Sequence, residues 1–552
     1  MPSFFEKIAA RIAFWHARGV FRAFLSDLDR PEAVQERALA RVMRLVRGSE
    51  YARQCGLDRV RSIADLRSAA PIVTYDDVRP TMDRLHAGDV QALFAPGTRL
   101  IMFATSSGTT AHPKYIPVTP EFVTQYRRGW NTFGLKMLSD HPDAVLRAIL
   151  QGSGKMDESI SPAGVPCGAI TGLMSRTQKR IVRRFYVGTP EMGDIDDPTA
   201  RYYTLMRFGI MRDVAFAITA NPATLIRMAR TADENRETLI RDVRDGTLSA
   251  QLVDSDALRR RLSSTLRPDK ARAAELEKML QSHGSLRPRD YWKLSFLACW
   301  TGGSMGYYLE RLADWFGPLP VRDVGLLASE GRVTIPLDDG TPAGVLDVNA
   351  AVFEFIPIEE WQQPSPRTLL PTELEVDREY VVVLTNDAGL IRYRLDDVVK
   401  VRGWVEHTPV LEFLHRAGRV SSMAGEKLTE HQLVQAVRSA CKRLAVPEFD
   451  FVVGPRWADP PSYVLSAHAE VSDALVAAID ESLGQQNFEY ESRRKSNRLG
   501  GLSFRALGAG AIDRMDQRLM ASRRSTSEQY KRPCLFTEPS KDTEALGLPP
   551  DR

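Results

Sequence analysis

A run of hydroxyl-bearing residues is the segment of this sequence best suited to chemistry. Residues 105–110 read T-S-S-G-T-T, and Lys114 and Pro117 follow them. Hydroxyls and loop N–H groups donate hydrogen bonds to phosphate oxygens, glycine allows close approach of the backbone, and lysine adds a mobile positive charge. The segment therefore predicts a loop that holds a polyphosphate such as that of ATP.

Three further segments carry groups that complement such a loop. The residues A-S-E at 328–330 follow a short apolar stretch, and Glu330 could hold a magnesium ion through a carboxylate oxygen or a bridging water. The residues Y-R-L-D-D at 393–397 are predicted to end a strand, where Asp397 could accept both ribose hydroxyl protons. The residues G-E-K-L-T-E at 425–430 contribute a lysine, Lys427.

A serine hydrolase is the alternative that the sequence leaves open. The residues G-G-S-M-G at 302–306 fit a nucleophile elbow around Ser304, between an apolar segment and a helical pattern. Four later histidines could complete a catalytic triad: His407, His415, His431 and His468. A tight glycine turn between a strand and a helix explains the same pattern. The residues G-S-G-K at 152–155 lack the earlier glycine and the Ser/Thr of a P-loop.

The elements that must position these groups are predicted from hydrophobic periodicity. Residues 1–95 and 200–285 are mostly helical, and the apolar run 100–104 predicts a buried strand before the phosphate loop. A helix is expected to begin at T-P-E 119–121, with an N-cap hydroxyl and proline in the first turn. Further strands are expected at 352–356, 380–385, 390–393 and 398–401.

The pattern changes near residue 416. Leu433, Val437, Cys441 and Leu444 form a helical stripe, short strands are expected at 449–453 and 463–467, and a second helix begins after Ser472. This alternation predicts a small α+β domain of roughly 130 residues.

Composition narrows the class of protein. The chain has 552 residues, 43% hydrophobic residues and a net charge of only +4, which favours neither nucleic acid nor a membrane as a partner. Five scattered cysteines form no C-x-x-C pair, so a cytoplasmic protein is expected. Apolar residues at helical spacing from Phe4 to Trp15 predict an amphipathic N-terminal helix that packs on the main body rather than a signal peptide.

The order and spacing of the motifs resemble the adenylate-forming superfamily, and the whole chain resembles the auxin-responsive-promoter family of acyl-acid amido synthetases. The matching segments are S-S-G-T-T at 106–110, T-G-G-S-M at 301–305, A-S-E at 328–330, F-E-F-I-P at 353–357, Y-R-L-D-D at 393–397, E-K-L-T-E at 426–430, P-I-V-T-Y-D-D at 71–77, N-F-E-Y at 487–490 and E-Q-Y-K-R-P at 528–533. Two residues depart from the family pattern: His112 and Asp396 each stand where a glycine is usual.

The resemblance implies an α/β fold, with a large N-terminal adenylation domain over 1–415 and a small mobile α+β domain over 416–552. It implies catalytic roles for Lys427 and Lys531, without deciding which of them serves adenylation, and a magnesium ion held by Glu330. The nucleotide-binding residues that it implies are Thr105, Ser106, Ser107, Gly108, Thr109, Thr110, Lys114, Ala328, Ser329, Glu330, Asp397 and Arg419.

The implied reaction has two steps. A small carboxylic acid attacks the α-phosphate of ATP and releases pyrophosphate, and an amine, expected to be an amino acid, then displaces AMP. Relatives rotate the C-terminal domain between the steps, and a hinge is expected near residues 414–419. A thiol such as coenzyme A or an alcohol is the alternative acceptor, and a monomer or weak oligomer is expected.

Overall fold

The computed structural model describes residues 19–106, 114–250, 253, 255–302, 305, 308–418, 420–424, 426–523 and 532–549. Contact density divides the chain into two units, one of residues 1–395 and 400–412 and the other of residues 396–399 and 413–552. The predicted N-terminal helix and His112 lie outside the described residues. The predicted domain boundary after residue 415 stays a prediction.

The N-terminal unit contains many helices, whose starts follow local sequence signals. Thr119 caps the longest of them, Pro120–Asp140, by accepting a hydrogen bond from the N–H of Phe122, as its T-P-E start predicts. The α-helices are Pro31–Val46, Glu50–Gln54, Ile63–Ala69, Tyr75–His86, Pro120–Asp140, Ile170–Arg176, Arg180–Arg183, Pro198–Gly209, Pro222–Glu234, Arg236–Asp245, Asp256–Ser263, Lys270–His283, Pro288–Tyr291 and Leu309–Phe316. Among the described residues, none of the helices is long and apolar enough to span a bilayer.

A parallel four-stranded sheet shares a hydrophobic core with many helices of this unit. Its strands, in spatial order, are Ala148–Leu150, Val214–Ile218, Phe296–Ala298 and Val321–Arg322. The second and third strands are buried along their whole length, as is usual for parallel strands covered on both faces. Ligands bind outside the carboxyl ends of such strands, so the segments that follow them are candidates for a site.

A second four-stranded sheet carries the predicted phosphate-loop segment. Its order is Lys114–Val118, Met102–Ser106, Pro166–Gly168 and Ser159–Ile160. The first two strands are antiparallel, with Thr105 opposite Tyr115 and Ser106 opposite Lys114. The residues between these strands, 107–113, lie outside the described part of the chain. The strand predicted at 100–104 is observed two residues later, at Met102–Ser106.

A six-stranded sheet and a small hairpin complete this part of the fold. The sheet has the order Thr334–Ile335, Ala343–Leu346, Thr408–Arg416, Tyr393–Val405, Glu379–Thr385 and Val352–Pro357, and the hairpin pairs Leu327–Ala328 with Gly331–Arg332. The strand expected at 398–401 is part of a longer strand, Tyr393–Val405, and the strand expected at 390–393 is wrong except for Tyr393, because residues 390–392 precede that strand. That continuity was hidden because polar residues interrupt the apolar pattern and Asp396 has a φ of +61°.

The C-terminal unit is a small α+β structure with its own hydrophobic core. Its three-stranded sheet has the order Phe451–Arg456, Ser462–Ala467 and Ser503–Ala506, and a short pair joins Val420–Ser421 to Leu428–Thr429. The helices are Glu430–Arg443, Asp473–Gln486, Phe488–Lys495, Ala511–Arg523 and Lys541–Leu546. Leu433, Val437 and Cys441 are buried as the stripe predicts, but Leu444 lies past the helix end and is exposed.

Candidate active site

Lys114 lies in a small aromatic cage. Its Nζ is 5.3 Å from the ring centroid of Tyr75 and 5.9 Å from that of Tyr393, and it donates a hydrogen bond of 3.2 Å to the Tyr393 hydroxyl. The Tyr75 hydroxyl accepts a 2.7 Å bond from the N–H of Tyr115, which fixes the ring. Two electron-rich ring faces and a hydroxyl hold the ammonium group at the end of the phosphate-loop strand pair.

The Tyr393 hydroxyl connects this lysine to an acid from another segment. It lies 3.5 Å from Oε1 of Glu330, which is only 4% exposed. Ser329 donates a 3.3 Å bond from its hydroxyl to the carbonyl oxygen of Thr105. The structure therefore brings together two segments that the sequence proposed separately, one with Thr105 and Lys114 and the other with Ser329 and Glu330.

Asn386 supports the backbone at Glu330. Its side-chain amide donates a 2.6 Å bond to the carbonyl oxygen of Glu330 and accepts one of 3.0 Å from the N–H of Ala388. The residues N-D-A-G at 386–389 have the composition of a turn after the strand Glu379–Thr385. An asparagine that bonds two residues ahead is a usual turn signal, whereas its second bond, to a residue 56 positions away, has no local sequence signal.

The segment P-I-V-T-Y-D-D at 71–77 begins a helix. Asp77 accepts hydrogen bonds from both the N–H and the hydroxyl of Thr74, which starts the helix Tyr75–His86. Burial raises the pKa of Tyr75 to about 12, so its hydroxyl stays protonated at neutral pH. At the other end of the helix, His86 stacks on Tyr115 with centroids 4.1 Å apart, and burial lowers its pKa.

The glutamate of F-E-F-I-P is part of a buried ion pair. Glu354 accepts two bonds from the guanidinium of Arg392, at 2.9 and 2.8 Å, and one from the hydroxyl of Thr368. Arg392 also donates to the carbonyl oxygens of Arg67 and Ala70. This motif therefore fixes the chain next to Tyr393 rather than supplying a group for chemistry.

A buried carboxylate lies where two strands of the parallel sheet end. Asp323 directly follows Val321–Arg322 and accepts bonds from the N–H and hydroxyl of Thr301, at 2.6 and 2.8 Å. Its other oxygen accepts a 2.6 Å bond from the N–H of Gly325. Burial raises the pKa of Asp323 to about 6, although these donors favour its charged form.

In the C-terminal unit, Asp397 is nearly buried and lies 3.3 Å from Nε of Arg416. The prediction that Asp397 ends a strand was wrong, because it lies inside the strand Tyr393–Val405. The positive φ of Asp396 interrupts the regular strand conformation immediately before it. The N–H of Ala417 donates to the carbonyl oxygen of Asp396.

Lys427 lies in a hydrogen-bonded turn, which we call the lysine turn, residues 421–424 and 426–429. The carboxylate of Glu426 is fully buried and accepts 2.7 Å bonds from the N–H groups of Met423 and Ala424, together with a bond from the Tyr463 hydroxyl. Asn487 donates a 2.8 Å bond to the carbonyl oxygen of Glu426. Lys427 itself is exposed and has a φ of +48°, which is unusual for a residue other than glycine.

The last acid of the same motif stabilises the chain close to the second lysine candidate. Glu430 begins the helix Glu430–Arg443 and accepts a 3.1 Å bond from the N–H of Cys534. Arg532 donates two bonds to Asp516 and one to Asp450. The residues that follow Lys531 are therefore fixed by ion pairs, while Lys531 lies outside the described residues.

The predicted site residues are only partly described. Thr105 and Ser106 end the strand Met102–Ser106, Ala328 pairs with Gly331 in the hairpin, and the side chain of Ser106 is not described. Ser107, Gly108, Thr109, Thr110, Arg419 and Lys531 lie outside the described residues, as does Ser304 of the hydrolase alternative. The nucleotide-binding and catalytic roles of all these residues stay predictions.

The donor set at Glu330 fits a magnesium ion that is shared with a phosphate. Magnesium usually binds through one or two carboxylates together with phosphate oxygens and water. Within the described ranges, no group of three or more His, Cys, Asp or Glu side chains could hold a metal ion. Glu330, a single buried carboxylate on the hairpin, is connected to Lys114 through the Tyr393 hydroxyl and is suited to a metal that arrives with its nucleotide.

Comparison with known proteins assigns the chain to a family. Models of the GH3 family match in order: the N-terminal domain over residues 20–321, the central domain over 344–416 and the C-terminal domain over 431–540. The chain belongs to the GH3 family. The resemblance to acyl-acid amido synthetases that the sequence motifs indicated is confirmed.

Relatives and solved structures cover nearly the whole chain. It is 28% identical over 511 residues to jasmonoyl-L-amino acid synthetase JAR6 of Nicotiana attenuata, which covers 87% of each chain. It is 26% identical over 556 residues to indole-3-acetic acid-amido synthetase GH3.4 of Arabidopsis thaliana, with 94% and 91% covered. The solved structure of the GH3.15 acyl acid amido synthetase matches with a TM-score of 0.82 at 20% identity, covering 96% of this chain and 95% of that one, and confirms the predicted α/β fold class.

Proposed function

We propose that this protein is a ligase that adenylates a small carboxylic acid with ATP and then joins the acyl group to an amine. Relatives of similar length are named for the conjugation of acids to amino acids, so an amino acid is the expected amine. ATP is the expected cosubstrate, AMP and pyrophosphate are the expected products, and the reaction is expected to take place in the cytoplasm.

The observation that carries this proposal is the cluster of Lys114, Tyr393 and Glu330. It joins a cation at the end of the phosphate-loop strands to a buried acid on the hairpin through one hydroxyl. Attack of a carboxylate on an α-phosphate brings negative groups together, so positive charge at phosphorus lowers the barrier. A magnesium ion held by Glu330 would add Lewis acidity at the phosphate oxygens.

The residues of the cluster and the other predicted site residues then have defined roles. Lys114 would neutralise the departing pyrophosphate, and the Tyr393 hydroxyl would keep the lysine and Glu330 in fixed positions. The carboxylate of Asp397 would accept the ribose hydroxyl protons, and Arg416 would hold that carboxylate. Lys427 and Lys531 are the candidates for the remaining contact, with the α-phosphate or the attacking carboxylate.

The first test measures the exchange of labelled pyrophosphate into ATP in the presence of a panel of carboxylic acids. We expect exchange that depends on the acid and is lost in Asp397→Ala. A protein that exchanges no label with any acid, while remaining folded and pure, would contradict the proposal. Mass spectrometry of products with amino acids, coenzyme A and alcohols then separates amide formation from thioester or ester formation.

The second test assigns the two lysines. In Lys427→Ala and Lys531→Ala, pyrophosphate exchange and amide formation are measured separately. We expect one variant to lose exchange about 100-fold, as for removal of one charged group from a transition state. The other should keep exchange but form amide more slowly. Equal losses of both steps in both variants would contradict separate roles for the two lysines.

A further inference from the structure

Asp323 is a buried acid that no motif includes, and its bonds join two motif segments. The carboxylate is 3% exposed and accepts from Thr301, the first residue of T-G-G-S-M. It also accepts from Gly325, which leads into A-S-E at 328–330. The indole N–H of Trp300 donates a 2.9 Å bond to the carbonyl oxygen of Gly325, so three bonds connect residues 300–301 with residues 323–325.

The two connected segments follow neighbouring strands of the parallel sheet, at the edge where α/β folds usually bind ligands. Thr301 follows the strand Phe296–Ala298, and Asp323 follows its parallel neighbour Val321–Arg322. The crevice beyond the carboxyl ends of parallel strands is the usual ligand site in α/β folds. Gly325 has a φ of +86°, and a Cβ there would lie 2.4 Å from the carbonyl oxygen of Thr334. The backbone that receives the carboxylate therefore has little freedom to move.

We propose that Asp323 is a positioning residue that holds the Thr301 and Gly325 segments in the arrangement that binds ATP. This inference rests on the proposed function and extends it to a residue outside the family motifs. A neutral amide at this position would direct an N–H₂ group at one of the backbone N–H donors, so the connection would be lost on one side. Cys299 and Arg332 also face Asp323, and Arg332 donates to the carbonyl oxygens of Val324 and Thr334.

The chain offers a matched control in a second buried carboxylate of the same unit. Asp242 is 3% exposed and accepts from the hydroxyls of Tyr203 and Thr247 and from the N–H of Ser249. Two of its three bonds come from hydroxyls and one from a backbone N–H, whereas the bonds described for Asp323 come from one hydroxyl and two backbone N–H groups. Asp242 lies in the helical region, away from every motif. Asp323→Asn and Asp242→Asn should therefore both destabilise the fold, and only the first should affect nucleotide binding.

The experiment combines kinetics with hydrogen exchange at pH 7. In Asp323→Asn we expect the KM for ATP in pyrophosphate exchange to rise about tenfold while kcat changes less than threefold, and the amides of Thr301 and Gly325 to lose protection. Asp242→Asn should leave KM unchanged and deprotect Ser249. Thr301→Val removes one hydroxyl donor and should raise KM less than Asp323→Asn does.

Three outcomes overturn the inference. They are an unchanged KM in folded Asp323→Asn, an equal rise in Asp242→Asn, and unchanged protection of Thr301. If the wild type shows no acid-dependent exchange at all, the proposed function fails separately. Calorimetric affinities for a non-hydrolysable ATP analogue then test Asp323 directly, because equal binding by the wild type and Asp323→Asn contradicts its role.

Discussion

Two turns of this molecule, one in each unit, are stabilised by a buried carboxylate that accepts backbone N–H groups. In the N-terminal unit, Asp323 accepts from Thr301 and Gly325, which belong to different segments. In the lysine turn, Glu426 accepts from Met423 and Ala424, which lie three and two residues before it. The first carboxylate therefore fixes distant parts of the chain to each other, and the second fixes a local conformation.

The two turns also differ in where the unusual backbone conformation falls. In the Asp323 turn the positive φ belongs to Gly325, which adopts it without cost, whereas in the lysine turn it belongs to Lys427. Strained residues other than glycine persist where the surroundings impose them, often at functional sites. The comparison indicates that the first turn is a stable frame and that the second presents one exposed side chain at the expense of stability.

The largest expected effect comes from removing the charged groups of the cluster of Lys114, Tyr393 and Glu330, which lies in the same unit as the Asp323 turn. Glu330→Ala and Lys114→Ala should each lower the rate of pyrophosphate exchange by 10²- to 10³-fold, because each removes charge stabilisation at the phosphates. Steady-state exchange assays over a range of magnesium concentrations measure the loss. Glu275→Ala, on an exposed helix of the same unit, is the control and should retain full activity.

Exchange rates in Glu330→Ala within threefold of the wild type would remove this acid from the site. Recovery of Glu330→Ala at high magnesium concentration would instead support its assignment to the metal.

The next effect tests the second carboxylate. Glu426→Ala should lower the free energy of unfolding of the C-terminal unit by about 3 kcal/mol, because it leaves two N–H groups and a buried hydroxyl without their acceptor. Tyr463→Phe removes only one partner and should cost about 1 kcal/mol. Urea unfolding measures the two losses of stability, and hydrogen exchange of residues 421–429 shows whether they arise in the turn. A smaller loss in Glu426→Ala than in Tyr463→Phe would show that the carboxylate does not stabilise the turn.

The pH dependence of stability separates Asp323 from an ordinary exposed acid. Its pKa is about 6 in the folded protein, against an ordinary value of 3.8, so the native state holds more protons between these values. The contribution of Asp323 to the free energy of unfolding therefore decreases as pH rises from about 4 to 6. Above pH 6 this loss is complete and amounts to about 3 kcal/mol. Relative to Asp323→Asn, which cannot titrate, the wild type should gain most of that amount between pH 7 and pH 4.

Chemical denaturation of both proteins at several pH values measures this difference. A stability difference between the wild type and Asp323→Asn that stays constant from pH 4 to pH 7 would contradict the raised pKa.

The sequence could predict the local part of this structure but not its long-range connections. The helix start at Thr119 and the strand before the phosphate loop follow from local patterns, and Glu330 and Lys427 were identified from motifs. The roles of Tyr393, Asn386 and Asp323 as connecting residues could not be predicted, because each joins segments that are distant in sequence. Asp396 was recognised as a departure from the family pattern, but its positive φ was not foreseen.

The smallest expected effect tests whether the lysine turn is strained. A residue with a side chain in the left-handed region costs about 1 kcal/mol relative to glycine, so Lys427→Gly should be more stable than Lys427→Ala by about that amount. Ser439 is exposed in the middle of the helix Glu430–Arg443 and should show the opposite order, with Ser439→Ala more stable than Ser439→Gly by about 1 kcal/mol. Thermal and urea unfolding of the four variants measure both differences. If Lys427→Ala equals or exceeds Lys427→Gly in stability, the turn is not strained, and the contrast with the Asp323 turn reduces to the distance over which each carboxylate acts. If the orders are opposite, the bonds of Glu426 and Asn487 impose on Lys427 a conformation that its own backbone disfavours.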